Sequence, residues 1–145
     1  MNAFKGVFSA LFAILYLPVA FALATPEGNW VTIDDKTGEK RAIINFVIQD
    51  GTMTGTVAGT YPKPGDTGIC SACPGDFKDK PIKGMQIVWG LKDKGDGTTW
   101  DDGQILDAKT GKIYHFKMTM KGDKLYVRGY IGISMLGRTQ VWERA

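Results

Sequence analysis

The sequence predicts an all-β fold: a single eight-stranded antiparallel barrel, in up-and-down order, after an N-terminal signal peptide. Three observations predict it. Apolar and polar residues alternate with a period of two through almost all of the chain after Ala24, as in strands with one buried face. No stretch after Ala24 has the spacing of an amphipathic helix. An early Gly28-Asn29-Trp30 and a late arginine-bearing run at 139–144 are typical of barrels in which the chain ends meet, with an arginine over the tryptophan ring.

The first 24 residues predict a secretory signal peptide. Lys5 supplies one positive charge, an apolar run covers residues 6–23, and Ala22-Leu23-Ala24 is a small-x-small cleavage pattern. An uncleaved membrane anchor is the alternative, and Pro18 within the apolar run argues against it. We therefore expect cleavage after Ala24, one domain over residues 25–145, no stable membrane span afterwards, and a periplasmic or secreted location.

The predicted strands follow one another with turn sequences between them. Asp50-Gly51 is a strong hairpin signal. The group Asp34-Asp35-Lys36-Thr37-Gly38 is closely repeated by Asp107-Ala108-Lys109-Thr110-Gly111, so both are expected to form the same turn, with Asp capping the bend and Gly at positive φ. The strand-like runs are 28–33, 40–49, 52–61, 85–91, 99–106, 112–120, 124–129 and 139–144.

The barrel interior is expected to be filled mostly by aromatic side chains. An eight-stranded barrel either packs its interior with side chains or holds one small ligand. Gly55 and Gly59 in the third run lack side chains, which suggests that they leave space and keeps a cavity open as a hypothesis. The aromatic set includes Trp30, Phe46, Tyr61, Trp89, Trp100, Tyr114, Phe116, Tyr126, Tyr130 and Trp142.

Residues 61–84 predict a long loop, because they contain four prolines, four glycines and both cysteines. Long loops in a small domain are often functional, so this one is a candidate lid or partner surface. Cys70 and Cys73 are expected to form a disulfide in an oxidising compartment. A redox role lacks a helix N-terminus to activate a thiol, and a metal role lacks two further ligands.

Composition disfavours several classes of function. Without Lys5 there are 18 − 1 = 17 basic residues against 15 acidic ones, with no basic stripe for nucleic acid. His115 is the single histidine, so one chain cannot build a multi-histidine metal site. Asp34-Asp35 and Asp101-Asp102 lie in or near turns, where aspartate caps the backbone. We expect no catalytic residue, no metal and no cofactor.

Three arginines, Arg128, Arg138 and Arg144, lie at or beside the last two runs. One or two of them could point into the barrel and bind a carboxylate with the bidentate geometry that guanidinium favours. The alternative is favoured: they cap the barrel end, stack on Trp30 or Trp142, or face solvent.

A series of motifs runs through the chain in a fixed order: Gly28-x-Trp30, Thr32-Ile33-Asp34-Asp35-x-Thr37-Gly38, Cys70-x-x-Cys73, Asp79-x-Pro81-Ile82-x-Gly84, Gly103-x-Ile105-Leu106-Asp107, Thr110-Gly111-x-x-Tyr114, Leu125-x-Val127-Arg128-Gly129-Tyr130-Ile131-Gly132, Leu136-Gly137-Arg138-Thr139 and Trp142-x-Arg144. Over nearly the whole mature chain this series resembles the bacterial exported family called domain of unknown function 2147. The resemblance implies a lipocalin-like barrel of the calycin type and export, and that family has no established activity. Ala108 departs from the proline that the family often has after Asp107.

The expected function is non-enzymatic binding of a small apolar or amphipathic ligand in the barrel mouth, with Arg128 or Arg138 holding a polar head. The alternative is an envelope interaction module that uses the 61–84 loop and has a filled barrel, with no particular protein partner indicated. An enzyme is disfavoured, because no nucleophile–base pair is evident. The candidate ligand-binding or barrel-closing residues are Trp30, Arg128, Tyr130, Arg138 and Trp142.

Overall fold

The computed structural model describes residues 6, 9–18, 25–132 and 137–145. The predicted cleavage site at Ala22-Leu23-Ala24 and much of the predicted signal peptide lie outside these residues, as does Leu136. Within the described part of the chain, no helix is both long enough and apolar enough to cross a bilayer.

Eight antiparallel strands form one closed barrel, which confirms the predicted fold class. Each strand pairs with the next along the chain, and β8 returns to pair with β1. A short 3-10 helix, Gly75–Phe77, lies in the long loop. The strands are β1 (Gly28–Ile33), β2 (Lys40–Gln49), β3 (Thr52–Thr60), β4 (Gln86–Asp93), β5 (Thr99–Leu106), β6 (Ile113–Lys121), β7 (Lys124–Tyr130) and β8 (Arg138–Arg144).

The strand order gives the barrel two different ends. The short connections after β2, β4 and β6 lie at one end, which we call the base. The connections after β1, β3, β5 and β7 lie at the other end, which we call the mouth, and they include the 61–84 loop. The mouth is therefore the end at which the fold offers variable, loop-borne side chains.

Side chains fill the base half of the barrel. The largest of them come from β1, β2, β3, β4 and β7 and are at most 1% exposed: Trp30, Phe46, Met53, Leu91 and Leu125. Gly55 contributes to this packing, because a Cβ there would lie 2.8 Å from Phe46 Cε1 and 3.0 Å from Val88 Cβ. The expectation that Gly55 leaves space is therefore wrong, since neighbouring side chains already occupy the position that its own would take.

The seam between β1 and β8 is paired only near the base. Trp30 pairs with Arg144 and Val31 pairs with Glu143, and the Ala145 amide donates to the Asn29 carbonyl at 3.0 Å. Thr32 and Ile33, at the mouth end of β1, have no ladder partner on β8. Toward the mouth, the barrel is therefore closed at this seam by side chains and not by the backbone.

The two repeated turn sequences form the same turn, as predicted. In the first, Gly38 donates to the Asp34 carbonyl at 2.8 Å, and in the second Gly111 donates to the Asp107 carbonyl at 2.7 Å. Both glycines have positive φ, +73° and +74°. The Asp34 carboxylate also accepts the amides of Lys36 at 2.9 Å and Thr37 at 3.0 Å. Both turns lie at the mouth, so they hold its rim in a fixed shape.

Candidate functional site

A cavity of about 1030 Å³ opens at the mouth of the barrel. Its walls come from the mouth halves of the strands and from residues of the 61–84 loop. Its deeper wall is apolar and includes Ala42, Ile44, Phe116, Val127 and Trp142. Its rim carries the cationic side chains of Lys36, Arg41, Lys63, Lys109 and Arg138. The cavity is therefore apolar inside and charged at its entrance.

Trp142 marks the boundary between the filled base and the hollow mouth. It is 3% exposed. Its ring stacks on Phe46 at 6.3 Å between centroids and lies tilted against Phe116 at 6.0 Å. Such pairs restrict the ring to one orientation, so the cavity has a rigid aromatic floor.

A chain of hydrogen bonds runs from this floor to the rim along the inner face of β8. Trp142 Nε1 donates to Gln140 Oε1 at 2.9 Å. Gln140 Nε2 donates to Asp35 Oδ1 at 3.3 Å. Arg138 Nε donates to Asp35 Oδ2 at 3.1 Å, and Arg138 Nη2 donates to Asp35 Oδ1. Alternate residues of a strand point to the same face, so Arg138, Gln140 and Trp142 all point toward the cavity.

The Arg138–Asp35 pair keeps both groups charged. The Arg138 guanidinium, with a smaller contribution from Gln140, lowers the pKa of the Asp35 carboxyl below its usual value. The hydrogen bonds to Asp35 raise the pKa of Arg138. The same pair bridges the mouth end of the β1–β8 seam, because Asp35 follows β1 and Arg138 begins β8.

The other rim cations differ in their pairing. Lys63 of the loop forms a salt bridge with Glu39, which precedes β2. The side chains of Lys36, Arg41 and Lys109 form no salt bridge with any residue that the structure describes. These three cations share the cavity lining with the carboxylates of Asp34, Asp66 and Asp107.

Trp30 lies at the base, away from the cavity. Its indole nitrogen donates to the Pro26 carbonyl at 2.8 Å, and the ring is fully buried. Arg144 lies over the ring, 4.1 Å from its centroid. Trp30 and Arg144 therefore close the base of the barrel and do not line the cavity at its mouth.

Arg128 and Tyr130 lie on the outer face of the barrel. Both alternate with the buried, cavity-lining Val127, so their side chains project to the opposite side. Arg128 donates to Thr139 Oγ1 at 2.6 Å. Tyr130 stacks on His115 at 5.3 Å and donates to Asp101 at 3.4 Å. Burial, followed by the neighbouring Asp101, raises the pKa of Tyr130. Tyr130 nevertheless borders the cavity at its rim, so the predicted candidates that line the cavity are Tyr130, Arg138 and Trp142.

Cys70 and Cys73 are placed at disulfide distance, with their Cα atoms 5.4 Å apart. Both are buried, and Cys70 Sγ lies 3.3 Å from the Ala108 carbonyl oxygen. The cysteine segment is therefore docked on the turn between β5 and β6. Residues 60–63, 65–69 and 71 form part of the cavity wall, so this docking positions that wall.

Sequence reasoning missed Gln140 and the partnership of Asp35 with Arg138. The signal for Gln140 was its spacing, since it lies two residues from both Arg138 and Trp142 on one strand. Asp35 gave no such signal, because only the closure of the barrel brings it to β8. The described residues include no group of three or more His, Cys, Asp or Glu placed to hold a metal ion.

Comparisons with known proteins agree with this architecture. A solved structure similar to this chain is that of protein HP1028 from Helicobacter pylori, described as belonging to the lipocalin family. The similarity has a TM-score of 0.71 at 16% sequence identity and covers 82% of each chain, so it shows the fold. No curated protein sequence matches the chain significantly. The model of a bacterial family, described as uncharacterized protein conserved in bacteria (DUF2147), matches residues 28–144. The chain therefore belongs to the DUF2147 family.

Proposed function

We propose that this protein is a non-enzymatic binding protein that takes one small apolar or amphipathic molecule into the mouth cavity. The observation that carries the proposal is a cavity of about 1030 Å³ with an apolar interior and a polar entrance. Burial of apolar ligand surface would supply most of the binding free energy, at about 25 cal/mol per Å². A few polar groups at the entrance would fix the ligand's orientation.

Of the two arginines predicted to hold a polar head group, Arg138 would make that contact. It lines the cavity, whereas Arg128 lies on the outer face. Lys36, Arg41 and Lys109 line the same cavity together with Asp34, Asp66 and Asp107, so a preference for an anionic head would rest on the guanidinium of Arg138.

A periplasmic or secreted location belongs to the same proposal. It is supported by the signal-peptide pattern of residues 1–24 and by the cysteine pair, which suits an oxidising compartment. In that setting the protein would carry or sequester its ligand outside the cytoplasm.

Native mass spectrometry tests the proposal. Protein purified from its own host should carry a bound molecule, which is released on denaturation and identified. Ala42→Phe, which fills the cavity wall, should abolish this binding. Ala58→Phe makes the same change on the exposed face of β3 and should leave it intact. A wild-type protein without bound ligand, and without uptake from a lipid extract, would refute the binding function.

The alternative, an interaction module that uses the 61–84 loop, requires a barrel filled by its own side chains. The cavity between the mouth halves of the described strands does not meet that requirement. We therefore keep ligand binding as the proposed function.

A further inference from the structure

We propose that Arg138 and Gln140 form a carboxylate subsite at the cavity mouth, and that the chain's own Asp35 occupies it until a ligand carboxylate takes its place. The inference rests on the proposed function and makes it specific. It assigns the ligand class, an amphiphile with one carboxylate head, and it gives Asp35 the part of an internal competitor.

The donor geometry is that of a carboxylate site. Arg138 approaches Asp35 with two nitrogens, one to each oxygen, which is the bidentate pairing that guanidinium makes with a planar carboxylate. Gln140 Nε2 adds a third donor to Oδ1 at 3.3 Å. Three donors from two side chains thus converge on one planar anion at the rim of an apolar cavity.

Trp142 fixes the orientation of the Gln140 amide. The indole N–H can only donate, so the Gln140 atom that faces it must be the oxygen. The amide nitrogen is consequently directed to the rim, where it can donate to an anion. Because Trp142 is held between Phe46 and Phe116, this orientation is set by the cavity floor.

Asp35 is suited to be displaced. It lies in the turn after β1, and not on a strand, and its side chain is 29% exposed while that of Arg138 is 54% exposed. Half-exposed ion pairs are screened by water and contribute little to stability, so exchanging one carboxylate for another costs little. A ligand whose apolar tail is buried in the cavity would have a net advantage over Asp35.

The distances set the shape of the ligand. Arg138 and Trp142 are four residues apart on one strand, so about 13 Å separates the subsite from the aromatic floor. A linear acid of medium chain length spans that distance. Its carboxylate would lie at Arg138 and Gln140 while its methyl end approaches Trp142.

Two matched probes, decanoic acid and 1-decanol, separate head-group recognition from tail burial. Their dissociation constants are measured by calorimetry at about pH 7, where aliphatic carboxylates are ionised. Asp35→Ala should raise the preference for acid over alcohol by about three- to fivefold, the range expected when a half-exposed competing ion pair is removed. Glu39→Ala is the control: it also removes one carboxylate from a salt bridge at the mouth, but it frees Lys63 and not Arg138, so it should change the preference much less than Asp35→Ala does. Arg138→Ala should abolish the preference.

The outcomes distinguish the two proposals. If 1-decanol and decanoic acid both fail to bind, the cavity-binding function itself is refuted. If 1-decanol binds but Asp35→Ala does not increase the preference for the acid, the carboxylate subsite is refuted. A measurement on wild-type protein covers the case in which a variant does not fold. Decanoate should shift the NMR signals of the Arg138 Nε–H and the Gln140 amide while 1-decanol does not, and equal shifts with both probes would overturn the inference.

Discussion

Arg144 joins the base of the barrel to the segment that precedes β1. Its guanidinium lies 4.1 Å from the centroid of the buried Trp30 ring. The same group donates to the Thr25 carbonyl at 2.8 Å and to the Glu27 carbonyl. One side chain therefore stacks on the base tryptophan and satisfies two backbone carbonyls.

Replacing Arg144 by alanine should lower the free energy of unfolding by about 1–2 kcal/mol, the sum expected of a cation–π contact and hydrogen bonds to carbonyls. Urea denaturation measures it. Arg144→Lys retains the charge but not the planar stack, and should recover only part of the loss. Full recovery by lysine would show that charge alone matters at this position.

Asp34 should make the stability of the protein dependent on acid pH. Hydrogen bonds from the Lys36 and then the Thr37 amide lower the pKa of its carboxyl. A lowered folded-state pKa contributes stability that is present above the unfolded value, about 4, and is lost as the pH falls below it. Wild-type protein should therefore have a higher denaturation midpoint than Asp34→Asn at pH 7, and the difference should vanish near about pH 2. A difference that persists in acid would contradict this origin.

The roles of single residues were only partly predictable. The alternation of Leu125 and Val127 with their neighbours already indicates that Arg128 points outward, so its position on the outer face was predictable. The same period of two on β8 predicts that the side chain of Gln140 points to the same face as those of Arg138 and Trp142. The contact of Asp35 with Arg138 was not predictable, because it depends on the long-range pairing of β1 with β8, which no local sequence pattern encodes.

The two mouth turns share one backbone conformation but differ in their surroundings. A Cβ added at Gly38 would have no atom within 4 Å, whereas one at Gly111 would overlap the Ala72 carbonyl. The second turn is thus the surface on which the cysteine segment docks.

Gly38→Ala and Gly111→Ala should therefore differ in effect. Both introduce a side chain at positive φ, which costs about 1–2 kcal/mol. Gly111→Ala should in addition displace the segment around Ala72 and make the 61–84 loop more susceptible to proteolysis, while Gly38→Ala leaves it resistant. Equal digestion rates of the two variants, measured by limited proteolysis at matched stability, would contradict the docking role.

The 61–84 loop is more ordered than its composition indicates. The Cys70 amide donates to the Lys80 carbonyl at 2.9 Å, and the Ile82 amide donates to the Gly68 carbonyl at 2.9 Å. Two parts of the loop therefore pair with each other across Pro74. Sequence patterns predict strands from the local alternation of apolar and polar residues. This pairing was not predicted, because it is too short to show such an alternation inside a proline-rich segment.

Across the whole molecule, the barrel is solid at its base and hollow at its mouth. Leu91 packs in the base, where its side chain occupies the position that a Cβ of Gly103 would take. Leu106, on the neighbouring strand, lines the cavity. Closure of the barrel and the strand order were predictable from alternation and from the chain ends. The division of the interior into a filled base and a hollow mouth was not predictable, because it depends on which inward-pointing side chains contact one another across the barrel.

Leu91→Ala and Leu106→Ala should differ although the chemical change is the same. Leu91→Ala creates a closed void and should cost about 3–4 kcal/mol. Leu106 is also only 1% exposed, but it borders the mouth cavity, so Leu106→Ala enlarges that cavity instead of leaving a closed void and should cost about 2 kcal/mol, near the transfer term alone. Thermal or urea unfolding measures both. Equal losses would indicate that the cavity is closed in solution.

The pairing of β1 with β8 also determines when the molecule can finish folding. Whether the chain emerges from a ribosome or from an export channel, β1 comes first and β8 last, so the incomplete barrel carries two unpaired sheet edges, on β1 and on the latest strand to form. Unpaired edges recruit other strands, including those of neighbouring chains. Only the arrival of the final strand, Arg138–Arg144, removes both edges at once. Loss of a few residues from that strand would therefore leave every nascent copy open to aggregation, however well the first seven strands had assembled.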